Sequence, residues 1–417
     1  MKTTALRLHR KGDVHLETFD LPPITDDEIL CRVVSDSVCM SSYKAAMQGS
    51  GHKRVPPDVA ENPVILGHEF CGEIVSVGKT WRQKFREGQR FTIQPALNYK
   101  GSLASPGYSF PYMGGAATHI ILSREVMALD CLLPYDGESF FEGSLAEPMS
   151  CIIGAFHASY HTQNGVYTHR MGIREGGRCA ILAGCGPMGL GAIDYALHAE
   201  RRPSVLAVTD LDESRLVRAK ALFPPEEAAR LGVELTYLDG KSDKALSSLA
   251  GGQGFDDVFV FAPVRSVVEQ ADCVLARDGC LNFFAGPSDP SFSAEINFYN
   301  VHYASAHLAG TSGGNTDDLR EALRMTAERK IRPACMVTHV GGMNAARYAT
   351  LNLPSIPGGK KLIYTHIEME LTAIEDFEEK GRADPRFARL HELCAERSML
   401  WNAEAERYTL LAFLGKS

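Results

Sequence analysis

Six short apolar runs alternate with helix-length segments from Arg178 onward, at residues 178–183, 205–210, 233–238, 257–262, 280–285 and 307–311. Runs that are apolar along their whole length are buried on both faces, as are parallel strands sandwiched between layers of helix. This rhythm predicts an α/β fold with a doubly wound parallel sheet. The first run leads into Gly184-Cys185-Gly186-Pro187-Met188-Gly189, which opens a helix-like segment over 190–199. A glycine-rich turn between strand and helix suits a dinucleotide. Gly184 permits the tight turn, Gly186 lets the backbone approach a pyrophosphate, and Gly189 allows close helix–strand packing, with Pro187 and Met188 completing the loop. The helix N-terminus then offers donors and partial positive charge to the phosphates. Asp210 ends the second run, where a carboxylate accepts ribose hydroxyls and repels a 2′-phosphate. That favours NAD(H) over NADP(H), with Arg215 and Arg218 nearby pulling the other way.

Residues 1–150 have a different texture: β-branched runs broken by Gly and Pro, such as Gly72-Glu73-Ile74-Val75-Ser76-Val77-Gly78, which read as a compact β-rich domain. A chain of 417 residues is too long for one ordinary core. The expected division is a catalytic domain over 1–150, a Rossmann cofactor domain over 151–315, a return to the catalytic domain over 316–366, and a charged helical extension over 367–417. In that extension Leu390, Leu393, Cys394, Leu400 and Trp401 recur at roughly helical spacing, as for a helix packed on its own domain. Residues 101–115, rich in Gly, Ser, Pro and Tyr, read as a long ordered loop.

Composition removes several classes of partner. A net charge of −8 argues against nucleic acid, which needs a clustered basic surface, but leaves room for a small phosphorylated substrate in a local basic pocket. No apolar stretch approaches the ~20 residues of a membrane helix. The eleven cysteines, an odd number without any Cys-x-x-Cys, suit free thiols in a reducing compartment, so a cytoplasmic location is expected.

Upstream of the glycine loop stand Cys39, then Gly67-His68-Glu69, then Glu147 in Ala146-Glu147-Pro148. Sulfur, imidazole nitrogen and carboxylate oxygen together are the donors of a zinc site that keeps a position open. A Lewis acid and a hydride carrier on one chain imply alcohol–carbonyl redox chemistry. With Cys39-Met40-Ser41 and the late Gly358-Gly359-Lys360, these motifs resemble the zinc-dependent medium-chain dehydrogenase/reductase family over about residues 1–366. The Glu-Pro pair resembles its polyol (sorbitol) dehydrogenase-like branch.

The resemblance implies a GroES-like catalytic domain with Cys39 and His68 as direct zinc ligands. Glu69 and Glu147 share the remaining role, one binding directly and the other through water, in an order the residues leave open. It makes Ser41 the hydroxyl that passes the substrate proton, and it implies dimers or tetramers joined near residues 301–314. Ser42 stands where the family carries an aspartate that steadies a ligand. No cysteine lies between Gly72 and Asp130, so the four-cysteine lobe of many relatives is missing. One catalytic zinc and no structural zinc are expected, with the 101–115 loop held by packing.

Lys44, five residues after Cys39, and the basic loop Gly51-His52-Lys53-Arg54 bear on the substrate. Facing the cleft, Lys44, Lys53 and Arg54 would hold a phosphate; Lys44 also suits proton relay, and the loop also reads as a solvated surface. The 39–44 segment and the long tail resemble sugar-1-phosphate reductases within the family, which implies interconversion of a ketose 1-phosphate and a hexitol phosphate. The residues alone support a polyol or a polyol phosphate. An unphosphorylated polyol, a zinc-free reductase on the same fold and an inactive nucleotide-binding scaffold are the alternatives.

Overall fold

The computed structural model describes residues 1–163 and 165–414; the last three positions of the expected 367–417 extension lie outside them. Contacts divide the chain into two compact units. The first comprises Met1–Glu147, Ala322–Ala327 and the chain from Val337 on, and the second Pro148–Glu321 and Glu328–Met336. The boundary falls inside the helix Phe140–Ala158, between Glu147 and Pro148.

The first unit begins with strands Lys2–Arg10 (β1), Asp13–Asp20 (β2), Ile29–Val38 (β3), Val64–Ile65 (β4), Phe70–Val77 (β5), Arg90–Ile93 (β6), His119–Leu122 (β7) and Leu132–Pro134 (β8). Along β3 the odd positions Ile29, Cys31 and Val33 are buried while Leu30 and Arg32 are only half-buried. From Val33 to Val38 every residue is buried.

The second unit opens with a hairpin, Tyr160–Gln163 (β9) and Val166–Met171 (β10). Its sheet is formed by Arg178–Leu182 (β11), Val205–Asp210 (β12), Glu234–Asp239 (β13), Phe255–Val260 (β14), Leu275–Phe283 (β15) and His307–Ala309 (β16), in the order β13-β12-β11-β14-β15-β16 with every pairing parallel. This is the strand order of a doubly wound dinucleotide fold, with the strand order reversing beside β11. Two expected strands start earlier than the apolar runs suggest. β15 begins at Leu275, not 280, because Arg277, Asp278 and Gly279 sit within the strand. β14 begins at Phe255, and a register shift between Phe255 and Asp257 absorbs the mismatch.

The chain then returns to the first unit with Val337–Gly342 (β17), Lys360–Tyr364 (β18) and Thr372–Ala373 (β19). The large sheet runs β19-β17-β18-β3-β5-β6-β8, with β7 also on β3, so β18 lies directly beside the strand that leads to Cys39. The described part of the tail contains three α-helices, Phe377–Gly381, Pro385–Ala395 and Ala403–Ala412, not a single stripe. Leu390, Leu393 and Cys394 are buried on Pro385–Ala395, whereas Leu400 and Trp401 lie after it. Ser398 and Met399 take left-handed φ of 56° and 59° just beyond Pro385–Ala395, and the Asn402 side chain caps Ala403–Ala412 by accepting from the Glu404 and Ala405 N–H groups. Among the described residues no helix is long and apolar enough to cross a membrane.

Candidate active site

Cys39 leaves β3 and serves as N-cap of the helix Met40–Gln48, its carbonyl accepting from the Ser42 N–H at 3.0 Å. The next approach is made by Gly67. Its φ of 89° lies in the left-handed region, and a Cβ there would come 2.4 Å from the Asp36 carboxylate and 2.6 Å from the Ala116 nitrogen. Only glycine fits, and the turn it makes delivers His68 and Glu69 at the start of β5. The Cys39 sulfur, a His68 ring nitrogen and a Glu69 oxygen lie within 4.8 Å of one another. Glu147, on the helix Phe140–Ala158, is buried with the charges of His68, Glu69 and Cys39 acting on it.

The electrostatics of the cluster ask for a cation. Burial, with the Glu69 charge beside it, pushes the Cys39 thiol up. Burial likewise drives Glu147 up to about 7, with Glu69 and Cys39 adding to it against the pull of His68. His68 is pulled down by burial and so stays neutral, the form in which imidazole binds metal. Its Nδ1 meets the Ser42 hydroxyl at 3.2 Å, which leaves Nε2 facing the cluster. A serine thus touches the ring at the position where the family resemblance implies an aspartate. The donor set, its charge and the orientation of His68 fit a zinc ion.

Two further hydroxyls converge on the same ring nitrogen. Ser41 Oγ donates to Cys39 Sγ at 3.0 Å and lies 3.4 Å from His68 Nε2. Tyr108 Oη lies 3.2 Å from that nitrogen. Tyr108 comes from the 101–115 loop, which is held by hydrogen bonds as well as by packing: Ser105 Oγ donates to the Pro95 carbonyl at 2.6 Å, and Ser109 Oγ to the Arg54 carbonyl at 2.6 Å. Lys360, on β18, donates to both oxygens of Glu69 at 2.5 and 2.6 Å. Burial works against each charge of this pair, but the partners outweigh it: Lys360 is held above its ordinary value and Glu69 below its own.

The basic loop folds against this cluster. The His52 ring stacks on Tyr108 with centroids 5.6 Å apart, and the Arg54 guanidinium lies over the same ring, also at 5.6 Å. Burial and the charges of Arg54, Lys53 and Lys44 bring His52 down to about 4. Lys44, half-buried on the helix that Cys39 caps, is lowered by burial, and it feels both Cys39 and Lys53. Lys53 itself is exposed.

In the second unit the glycine loop joins β11 to the helix Pro187–His198, with Gly186 as N-cap and Pro187 and Met188 in the first turn. A Cβ at Gly189 would lie 2.0 Å from the Gly184 carbonyl, so the helix sits directly on the loop, whereas beside Gly186 the space is open. Asp210 is buried at the end of β12, its two oxygens accepting from the Cys185 N–H at 3.0 Å and the Asp212 N–H at 3.1 Å. It therefore fixes the glycine loop itself. Arg215 pairs with Asp212 at 3.5 Å, and Arg218 donates to the Cys335 carbonyl.

Sequence reasoning left three contributors without a role. Lys360 was visible as the end of Gly358-Gly359-Lys360, but its partner Glu69 is 291 residues away. His52 stood inside the basic loop, and Tyr108 lay in a stretch without period, which offers no signal.

The chain matches the model of the alcohol dehydrogenase GroES-like domain over residues 25–130 and that of zinc-binding dehydrogenases over residues 187–328. It belongs to the zinc-binding alcohol dehydrogenase family and is an NAD(P)-linked alcohol/polyol dehydrogenase. It is 53% identical to L-sorbose 1-phosphate reductase of Klebsiella pneumoniae, over 98% of this chain and 97% of that one. It is 50% identical to mannitol-1-phosphate 5-dehydrogenase of Aliivibrio fischeri, with the same coverage. A zinc-binding dehydrogenase of Sinorhizobium meliloti 1021 solved with NADP superposes with a TM-score of 0.70 at 19% identity, covering 88% of this chain and 100% of its own.

Proposed function

We propose that the enzyme interconverts a ketose 1-phosphate, such as L-sorbose 1-phosphate, and the corresponding hexitol phosphate, with NAD(H) as the hydride partner. The observation that carries the phosphate is the gathering of Lys44, Lys53 and Arg54 about His52, with Lys44 in the field of Cys39 and Arg54 in that of His68, in a chain whose overall charge is negative. Both full-length relatives above are named for sugar phosphates, which supports the same reading.

Cys39, His68 and Glu147 would hold the zinc. Glu69 is the weaker candidate for a direct ligand because Lys360 already engages both its oxygens. When bound, zinc supplies Lewis acidity that polarises a carbonyl or acidifies an alcohol, and the nicotinamide supplies or accepts hydride. The chain's own residues do the rest. Ser41 Oγ, within hydrogen-bonding distance of the ligand sulfur, gives or takes the proton of the substrate oxygen. Lys44 follows Ser41 by three positions on one helix face, so it can hold phosphate or receive that proton. The Asp210 carboxylate, fixed at the end of β12, has lone pairs left for ribose hydroxyls and repels a 2′-phosphate, while Asp212 and the Cys335 carbonyl occupy Arg215 and Arg218.

Lys44→Met tests the substrate. Losing one charge-assisted contact of about 1.5–3 kcal/mol should lower kcat/KM roughly 10-fold or more on phosphorylated substrates while sparing the free sugars. An equal loss on both places Lys44 in proton relay, and no loss on either removes it from the site.

A further inference from the structure

We propose that Glu406 is a positioning residue for the reaction: from the tail of the chain it fixes the first two turns of the helix that presents Glu147. The proposal rests on the reading of Glu147 as part of the metal centre. The first N–H groups of any helix lack intrahelical partners. Ser139, the residue before Phe140–Ala158, turns its hydroxyl proton to Glu142. Glu406 supplies the cap from another helix, Ala403–Ala412, taking the Phe140 N–H on Oε1 at 2.6 Å and the Phe141 N–H on Oε2 at 2.8 Å. Tyr364 Oη donates to Oε2 at 2.9 Å and in turn accepts from Trp401 Nε1 at 2.7 Å. All three side chains are buried.

A two-pronged carboxylate fixes direction as well as distance, and its negative charge complements the helix dipole. Glu147 follows Phe140 by seven positions, two turns on, which puts it on the same face about 10 Å further along. Pro148 comes next. It has no N–H to return to the Ser144 carbonyl, so the ladder is interrupted directly after Glu147. The two turns before it are therefore set largely by their own anchors, which are Glu406, the Ser144 Oγ donation to Ser35 Oγ at 2.8 Å, and that of Thr92 Oγ1 to the Gly143 carbonyl at 2.9 Å.

The cap carries a cost that a neutral cap would not. Burial pushes Glu406 up to about 7, against the three hydrogen bonds it accepts. The groups facing it are Glu142 on the capped helix, Tyr135 ahead of that helix, Cys71 on β5 and Tyr364 on β18, with Arg90 beside Cys71. Because its pKa is raised on folding, its contribution to stability is full below its ordinary value near 4.5 and is lost as pH rises through about 7.

The experiment compares zinc-loaded wild type with Glu406→Gln, an isosteric change that leaves one helix N–H facing an amide. We expect kcat to fall and zinc release to a chelator to quicken, each roughly 10-fold, with little change in KM. The pH dependence of the thermal midpoint between about 5 and 7.5 should flatten at the same time. A flattened midpoint profile with wild-type kcat and wild-type zinc release makes Glu406 a purely structural cap and overturns the proposal. Glu147→Ala separates the two layers of argument. Zinc retained in that variant overturns the reading of Glu147 and the proposal with it, whereas zinc lost there with unchanged release in Glu406→Gln overturns the proposal alone. Should Glu406→Gln fail to fold, Tyr364→Phe removes a single donor from the carboxylate, and a smaller change of kcat and release in the same direction is expected. No change in Tyr364→Phe overturns it.

Discussion

Lys360 and Glu69 form a fully buried ion pair at the edge of the ligand cluster, and such pairs are known chiefly by what happens when one partner goes. Lys360→Met would strand a buried carboxylate, so a loss of about 3–5 kcal/mol is expected in the unfolding free energy from denaturant titration. Lys360→Met combined with Glu69→Gln should recover much of that loss; a double variant as unstable as the single one would assign the effect to packing of the lysine stem. The proposed ligands give a simpler test. Cys39→Ala or His68→Ala should reduce metal content from about one zinc per chain to almost none by elemental analysis, together with turnover. Full occupancy in both variants would sink the assignment. Cys39, His68 and Glu69, whose donor atoms the fold brings together, stood out because each residue type carries its own coordination chemistry and stands in a short motif. Lys360, Tyr108 and Glu406 act through partners distant in sequence, and distance in three dimensions leaves no mark on the local pattern.

Among the elements, the parallel strands were the most readable, because burial on both faces forces an unbroken apolar run, as at Cys179, Ala180, Ile181 and Leu182. Their ends were less so. The start of β15 carries Arg277 and Asp278, and Asp278 is satisfied there by the Thr162 N–H and the His307 ring at 2.8 Å each, partners that no local reading supplies. The tail was read as one helical stripe because Leu400 and Trp401 keep the spacing by coincidence across a break at Ser398 and Met399. Asn402→Ala should cost about 1 kcal/mol, read from the unfolding midpoint, since it removes the cap of Ala403–Ala412. At the glycine loop Asp210→Ala should weaken the proposed preference for NADH over NADPH, and it should also raise KM for both, because Asp210 holds the Cys185 N–H in place. A wild-type enzyme faster with NADPH would show that Arg215 or Arg218 governs the pocket.

At the scale of the whole molecule, β16 ends its sheet with an edge unpaired among the described residues, and Leu308 on it is exposed, as are Phe298, Tyr299 and Tyr303 just before it. Open strand edges invite a second chain. The expected homodimer or homotetramer should therefore fall apart on Leu308→Lys, with light scattering reading the mass of one chain; an unchanged mass would place the interface elsewhere. The first unit is also discontinuous in sequence, and this sets an order of events during synthesis. Cys39, His68 and Glu69 leave the ribosome early, whereas the Lys360 that neutralises Glu69 follows 291 residues after it. At ~5–20 residues per second that interval is on the order of tens of seconds, long enough for the second unit to be made in full before the first can close. A nascent chain therefore spends that time with its metal-binding thiol and carboxylates accessible and uncompensated, and a stall before β18 would yield a protein with a complete nucleotide fold and no finished site for chemistry.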